Sequence, residues 1–267
     1  MVKYATYRIF VIIGCPAFDY FDSCTKWLQG KVFVLILCEN LTKLFDENSG
    51  IKNINLKFER GMIYGIIGGN GSGKTTLLNC IAGLYIPASG SVYFNSVKTT
   101  NEKEFLPYRR NMAFLPADDY LYPRLTCIEN IELATIIKTG KNRLLKETQE
   151  LIKYFEADTF LHKKFIHCSA GMRKKVQIIA SLIGEIDTII WDEPNDGLDL
   201  LSNIKIKELI KNYKSKNTVI VFSCHVIEFM NGFIDHCIIL KEGNVAENTA
   251  VNNIESLEKL YLGHIVG

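Results

Sequence analysis

The chain is 267 residues long, with 48% hydrophobic and 22% charged residues, an ordinary globular balance with enough length for a substantial core. Thirty-one lysines and arginines against 29 acidic residues leave a formal net charge of +2, which excludes the strongly basic footprint of a nucleic-acid binder, so no nucleic-acid partner is expected. No apolar run approaches the ~20 residues that a membrane helix requires, and the eight cysteines, at positions 15, 24, 38, 80, 127, 168, 224 and 237, form no CxxC pair, so reduced and mostly buried thiols are expected in place of a zinc site.

Residues 1–31 are aromatic-rich without a clean period and read as an N-terminal extension of unknown role, or a start placed too far upstream. A helix packed on a membrane partner is the sharper alternative. VIIGC (Val11 to Cys15) resembles a lipoprotein cleavage box, but its apolar core is only about half a normal signal segment and is read as coincidence. From residue 32 the order becomes legible. VFVLIL and IKNINLKFERG are strands, the second with alternating Ile54, Leu56 and Phe58, and MIYGII (Met62 to Ile67) has the continuous apolar character of a strand buried in a parallel sheet. A glycine-rich loop follows, then a helix over TTLLNCIAGL (Thr75 to Leu84) and a strand in SGSVYFN. Between about residues 118 and 168, IENIELATIIKTG and NRLLKETQELIKYFEA carry apolar residues three and four apart, the mark of a helical insert. Beyond it, SAGMRKKVQIIASLIG is a helix, TIIWDE a strand, LSNIKIKELIKNYK a helix, TVIVFS a strand followed by a short helix, and CIILKEG a strand. Strands alternating with helices imply a mostly parallel sheet covered on both faces.

The loop Gly68-Gly69-Asn70-Gly71-Ser72-Gly73-Lys74-Thr75 fits G-x-x-x-x-G-K-[ST] and lies between a predicted strand and a predicted helix, the context that gives the motif its meaning. Glycines let the backbone curl so that several N–H groups point at one anion, and the helix that follows adds its unpaired N-terminal donors. Lys74 then reaches the β- and γ-phosphates, and the Thr75 hydroxyl can ligand Mg²⁺. IIWDEP is an apolar strand ending in two acids: Asp192 is placed to hold Mg²⁺ through water, and Glu193 to orient and polarise an attacking water. The residues by themselves thus point to a P-loop nucleoside triphosphate hydrolase.

CSAGM (Cys168 to Met172), just before a basic helix, makes the resemblance specific. The chain resembles an ATP-binding cassette (ABC) ATPase over roughly residues 32–251, with a signature of the kind found in the exporter-like branch. The resemblance implies a fold class: an α/β P-loop NTPase with a mostly parallel sheet and flanking helices, an antiparallel β part near the N-terminus and the helical insert, all within one cassette at 32–267. It also implies that Ser169, Ala170, Gly171 and Met172 act on the nucleotide held by a partner cassette, and that Asp199, in DGLD, lies in a loop crossing the dimer interface. His225, after TVIVFS, corresponds to a histidine that contacts the γ-phosphate, Phe45 in LTKLF to an aromatic that stacks on adenine, and Thr76 joins Thr75 on the nucleotide. One departure stands out: where the family usually has Gln after a short strand, AFLPADDYLYPRLT has Ala117, and neither Asp118 nor Asp119 is an obvious replacement, although either could reach Mg²⁺ if the loop shifted.

The expected protein is therefore the ATP-binding and ATP-hydrolysing subunit of a transporter, using ATP and Mg²⁺ on the cytoplasmic face of the cell membrane, with a separate transmembrane permease and a homodimer or heterodimer of cassettes as partners. The alternatives are a soluble ABC-type ATPase of DNA repair or translation, which would bring long heptads or tandem cassettes, and a weakly hydrolysing regulatory subunit. Replacing Lys74 by Ala is expected to abolish tight ATP binding, since the phosphate charge loses its cation. An unchanged affinity in a nucleotide titration would refute the assignment of the loop.

Overall fold

Runs of aliphatic residues too apolar to leave either face in water build the centre of this fold. The structure, a computed structural model, describes residues 34–46 and 49–251. The expectations for residues 1–31, including the VIIGC box and the boundary at residue 32, lie outside the described residues. In chain order the elements are β1 (Val34–Leu44), β2 (Gly50–Glu59), β3 (Ile63–Ile67), α1 (Lys74–Ile81), β4 (Ser89–Phe94), β5 (Val97–Lys98), α2 (Glu102–Arg110), β6 (Met112–Leu115), α3 (Cys127–Thr139), α4 (Lys146–Tyr154), short 3-10 turns at Ala157–Phe160 and Phe165–His167, α5 (Ala170–Ser181), β7 (Thr188–Trp191), α6 (Leu200–Ser215), β8 (Val219–Cys224), α7 (Ile227–Met230), β9 (His236–Lys241) and β10 (Asn244–Ala250).

They form a six-stranded sheet in the order β10-β9-β3-β8-β7-β6 and a four-stranded antiparallel sheet in the order β2-β1-β4-β5. In the larger sheet every pairing from β9 to β6 is parallel, and only β10 runs antiparallel to its neighbour. Alternate residues of each parallel strand enter two different cores. Ile63 and Ile67 of β3, Ile220 and Phe222 of β8, and Ile189 and Trp191 of β7 pack with the helical insert, α5 and α6. Tyr64 and Ile66, Val219 and Val221, and Ile190 turn the other way, onto α1 and the antiparallel sheet. Each fully buried aliphatic or aromatic side chain contributes about 1.5–3 kcal/mol, and burial on both faces is why these strands read as continuous apolar runs.

The expected strands and helices are present, with shifted ends. The first strand continues to Leu44, beyond the apolar run, because its partners on both sides supply ladder bonds to its polar half. Helix α1 stops at Ile81, three residues early, where Gly83 takes a φ of 69°. In the insert, Thr126 and Glu129 form a reciprocal capping box that starts α3, and Gly140 closes it. The six described cysteines are free and buried.

Helix α2 and strand β10 have no counterpart in the sequence reading, nor does the two-residue strand β5. Helix α2 carries Pro107 in its interior and only one buried residue, Phe105, so it has neither a clean period nor an unbroken hydrogen-bond ladder to announce it. Phe105 anchors it against Phe94, with ring centroids 5.1 Å apart. Strand β10, NVAENTA, is a largely polar edge, formed by pairing with β9 and by no propensity of its own. Phe105→Ala is expected to destabilise the protein by about 3–5 kcal/mol through the cavity it leaves. A urea-unfolding midpoint indistinguishable from the parent's would show that α2 is not anchored by this ring.

Candidate functional site

The C-terminal ends of β3, β8 and β7 lie side by side, and the polar residues singled out in the sequence follow them directly. Between β3 and α1 the loop Gly68–Gly73 curls under Lys74, whose ammonium donates to the carbonyls of Gly68 at 2.9 Å and Gly69 at 3.2 Å. Lys74 is buried, so these carbonyls replace the water a lysine would otherwise keep. Gly73 adopts a φ of 101°, and a Cβ there would stand 2.7 Å from Ile51 Cγ2, so conformation and space both require glycine. With no side chain at this N-cap, the first intrahelical bond runs from Leu77 N to Gly73 O, and the N–H groups of Lys74, Thr75 and Thr76 are not used inside the helix. Asn70 and Thr75 are exposed, Ser72 and Thr76 buried. A loop of this shape offers a cation and several amide donors to one polyanion.

At the end of β7, Asp192 N donates to Leu115 O of β6 at 2.8 Å, which fixes the strand end. The Asp192 carboxylate is buried; Ser223 Oγ of β8 donates to its Oδ1, while its Oδ2 has no hydrogen-bond partner among the described residues. A buried carboxylate oxygen without a donor is costly unless a cation or an ordered water faces it. The same Ser223 Oγ accepts from Glu193 N at 2.9 Å, so one hydroxyl fixes both acids. Glu193 has a φ of 48°, a left-handed conformation that costs a non-glycine residue about 1–3 kcal/mol and is held here by its neighbours. Its Oε2 lies 3.6 Å from Nδ1 of the half-exposed His225. Lys174 of α5 reaches in from the other side and donates to Glu193 O at 3.3 Å. Burial pushes the Lys174 ammonium below the ordinary lysine range, and the carboxylates of Asp196, Asp192, Asp119 and Glu193 oppose that shift.

Phe45 is 57% exposed and so is not a core residue; Tyr85 meets it edge-on at 5.5 Å and the Lys43 ammonium sits 5.5 Å from its ring centre. An exposed aromatic with a second ring beside it is a surface on which a flat base can stack. Ser169 caps α5, accepting from Met172 N at 3.2 Å. It lies in an open cavity of about 540 Å³ with Ala170, Gly171, Met172 and Asp199, and no residue of the glycine loop lines that cavity. A Cβ on Gly171 would stand 2.9 Å from Gly197 O, so only glycine lets α5 approach the DGLD loop this closely. Asp199 caps α6, accepting from Ser202 N at 2.7 Å, which holds its carboxyl below the usual range.

The structure thus gathers Lys74, Asp192, Glu193 and His225 on one sheet edge and leaves Ser169 to Met172 in a second cavity with Asp199. Ala117 is exposed. Asp119 is already engaged, with its Oδ2 2.8 Å from Arg173 Nε and its Oδ1 accepting from Gln177 Nε2 at 2.8 Å. Ser223, Lys174 and Tyr85 went unassigned in the sequence, because a serine in an apolar strand or a lysine in a basic helix carries no spacing signal.

Residues 51–196 match the family model described as ABC transporter. Among curated proteins, the chain is 30% identical over 210 residues to the ABC transporter ATP-binding protein NatA of Bacillus subtilis, covering 78% of this chain and 85% of that one. It is 29% identical over 231 residues to the bacitracin transport ATP-binding protein BcrA of Bacillus licheniformis, covering 85% and 74%. A solved dimeric ATP-binding cassette in a post-hydrolysis state with ADP and Pi superposes with a TM-score of 0.73 at 29% identity, over 82% of this chain and all of that one. A further structure, an ATP-binding subunit of an ABC transporter, superposes with a TM-score of 0.74 at 27% identity, over 86% and 98%.

Ser223→Ala is expected to lower kcat for ATP hydrolysis by about 100-fold through misplaced acids, while ATP affinity changes little because the glycine loop is untouched. Parent-like turnover in a steady-state phosphate-release assay would remove Ser223 from the site.

Proposed function

The chain belongs to the ABC transporter family of ATP-binding, ATP-hydrolysing subunits, and from that premise we propose that it hydrolyses Mg·ATP between two cassettes to drive a separate membrane-spanning subunit. The observation that carries the reading is the division of the site: Lys74, Asp192, Glu193 and His225 follow the adjacent ends of β3, β7 and β8, whereas the Ser169 cavity is lined by no residue of the glycine loop. A nucleotide bound to the loop of one copy is then completed by Ser169 to Met172 of another, across a two-fold interface. Dimeric cassettes among the structural relatives support the same arrangement.

In this reading the loop amides and Lys74 hold the β- and γ-phosphates, and Phe45 with Tyr85 offers the adenine its platform. The unpartnered Oδ2 of Asp192 and the exposed Thr75 suit a Mg²⁺ ion, held through water on the Asp192 side. A Mg²⁺ ion held there would supply charge neutralisation to the phosphates. Glu193 orients a water whose oxygen bonds to the γ-phosphorus as the bond from that phosphorus to the β,γ-bridging oxygen breaks, giving ADP and phosphate. His225, 3.6 Å from Glu193, contacts the γ-phosphate and senses its loss.

No helix among the described residues is long and apolar enough to cross a membrane, and the relatives named above are ATP-binding proteins of transport systems, which favours a separate permease over the repair or translation alternative. ATP supply puts the subunit on the cytoplasmic membrane face. The experiment is light scattering on Glu193→Gln protein with and without Mg·ATP. An ATP-dependent dimer is expected, and a monomer in both conditions would overturn the composite site between identical chains.

A further inference from the structure

The first two turns of α5 hold more than the Ser169 cap. Arg173 Nη1 donates at 2.8 Å to the carbonyl of Cys168, the residue immediately before Ser169. Its Nε lies 2.8 Å from Asp119 Oδ2. One turn along the same helix face, Gln177 Nε2 donates to Asp119 Oδ1 at 2.8 Å. The next loop residue is tied as well, since Tyr120 Oη donates to Gln177 O at 2.8 Å. Asp119 therefore meets α5 at both carboxylate oxygens, through a hydrogen bond from Gln177 at one and an ion pair with Arg173 at the other.

The other end of this grip starts at the catalytic edge. Asp119 leaves β6 on the short loop that begins after Leu115, and Leu115 O is the acceptor for Asp192 N. A continuous path thus runs from Asp192 through Leu115 and the loop to Asp119, then through Arg173 to the Cys168 carbonyl and Ser169. Within that loop Ala117 has no polar side-chain atom and Asp118 is exposed, while Asp119 has two partners on α5. The ion pair is partly exposed, with 48% of the Asp119 side chain accessible, and such pairs add little to stability. What a carboxylate held at both oxygens does fix is direction, because loop and helix cannot slide past each other without breaking both contacts.

We propose that Asp119 is a positioning residue for the ATPase reaction, coupling the loop beside Asp192 to the orientation of Ser169 through Arg173 and Gln177. The proposal rests on the composite-site reading above, in which Ser169 acts on the nucleotide of a second copy. Asp119 does not touch that nucleotide. It sets the angle at which α5 presents Ser169 to it, and so links the state of one nucleotide site to the half-site that the same chain offers its partner.

The test uses full-length Glu193→Gln protein as parent and Mg·ATP as the probe. Asp119→Ala is added, and dimerisation is followed by light scattering across an ATP titration. Nucleotide affinity is measured separately at a protein concentration too low for dimers. The ATP concentration for half-dimerisation is expected to rise about fivefold or more, while monomer affinity stays within about twofold. Arg173→Ala is expected to give a similar shift, and the double variant a shift clearly smaller than the sum of the two, because both break the shared ion pair. Asp119→Asn, which keeps an acceptor for Gln177 but loses the charge facing Arg173, is expected to fall between the parent and Asp119→Ala, and serves as the readout if Asp119→Ala does not fold. Dimerisation at the parent's ATP concentration, or additive shifts in the double variant, would overturn the proposal and leave the composite site standing. A parent that stays monomeric would overturn both.

Discussion

A parallel sheet buried on both faces leaves its polar chemistry very little room. Ile63, Ile67, Ile220 and Phe222 fill one core while Tyr64, Ile66, Val219 and Val221 fill the other, so no mid-strand position here is open to solvent. The open places are where the strands stop, and parallel neighbours all stop on the same side. With the order β3-β8-β7, the glycine loop, the Ser223–His225 segment and the Asp192–Glu193 pair have to emerge next to one another. The site follows from the topology, and the topology follows from strands too apolar to face water.

That logic explains what could be read from the amino acids alone. The glycine loop was legible because its requirements are local: a φ of 101° at Gly73, a cation at Lys74, a helix immediately afterwards. The central strands were legible because burial on both faces writes itself as an uninterrupted apolar run. Helix α2 was not, since its single buried anchor and internal proline leave no period to detect. Nor was β10, whose polar residues are strand only because β9 offers them a ladder. Within the site, Ser223 had to be missed. Its part depends on β8 lying beside β7, a fact about sheet order that no spacing along the chain encodes.

Asp119 shows the opposite limit. The sequence places it in the loop after β6, where it is no obvious replacement for the missing glutamine and could reach Mg²⁺ only if the loop shifted. The partners it has are Arg173 and Gln177, and both of its oxygens are occupied by them. Reaching a metal would break two contacts at once, so Asp119 does not repair the absence of a glutamine at position 117 by turning inward. The loop is tied outward, to the helix that begins at Ser169.

Several groups at this edge sit in arrangements that the chain alone does not favour. Lys74 is buried against carbonyls, Asp192 keeps an oxygen without a donor among the described residues, and Glu193 is held in a left-handed conformation. In the proposed reading a cation relieves the aspartate and the lysine charge meets a polyphosphate, while the Glu193 backbone stays held by its neighbours. Binding can therefore release cost that was built in at folding, and it does so at one sheet edge. A ligand shifts a conformational equilibrium only by its differential affinity for the two states. In the proposed composite site, the states that differ are those in which a second copy does or does not cover the phosphates, because Ser169 and the glycine loop of one chain line separate surfaces. Loss of the γ-phosphate removes the shared ligand from both surfaces together. On that proposal, cleavage of the bond between the β- and γ-phosphates both completes the reaction and releases the group that bridged the two copies.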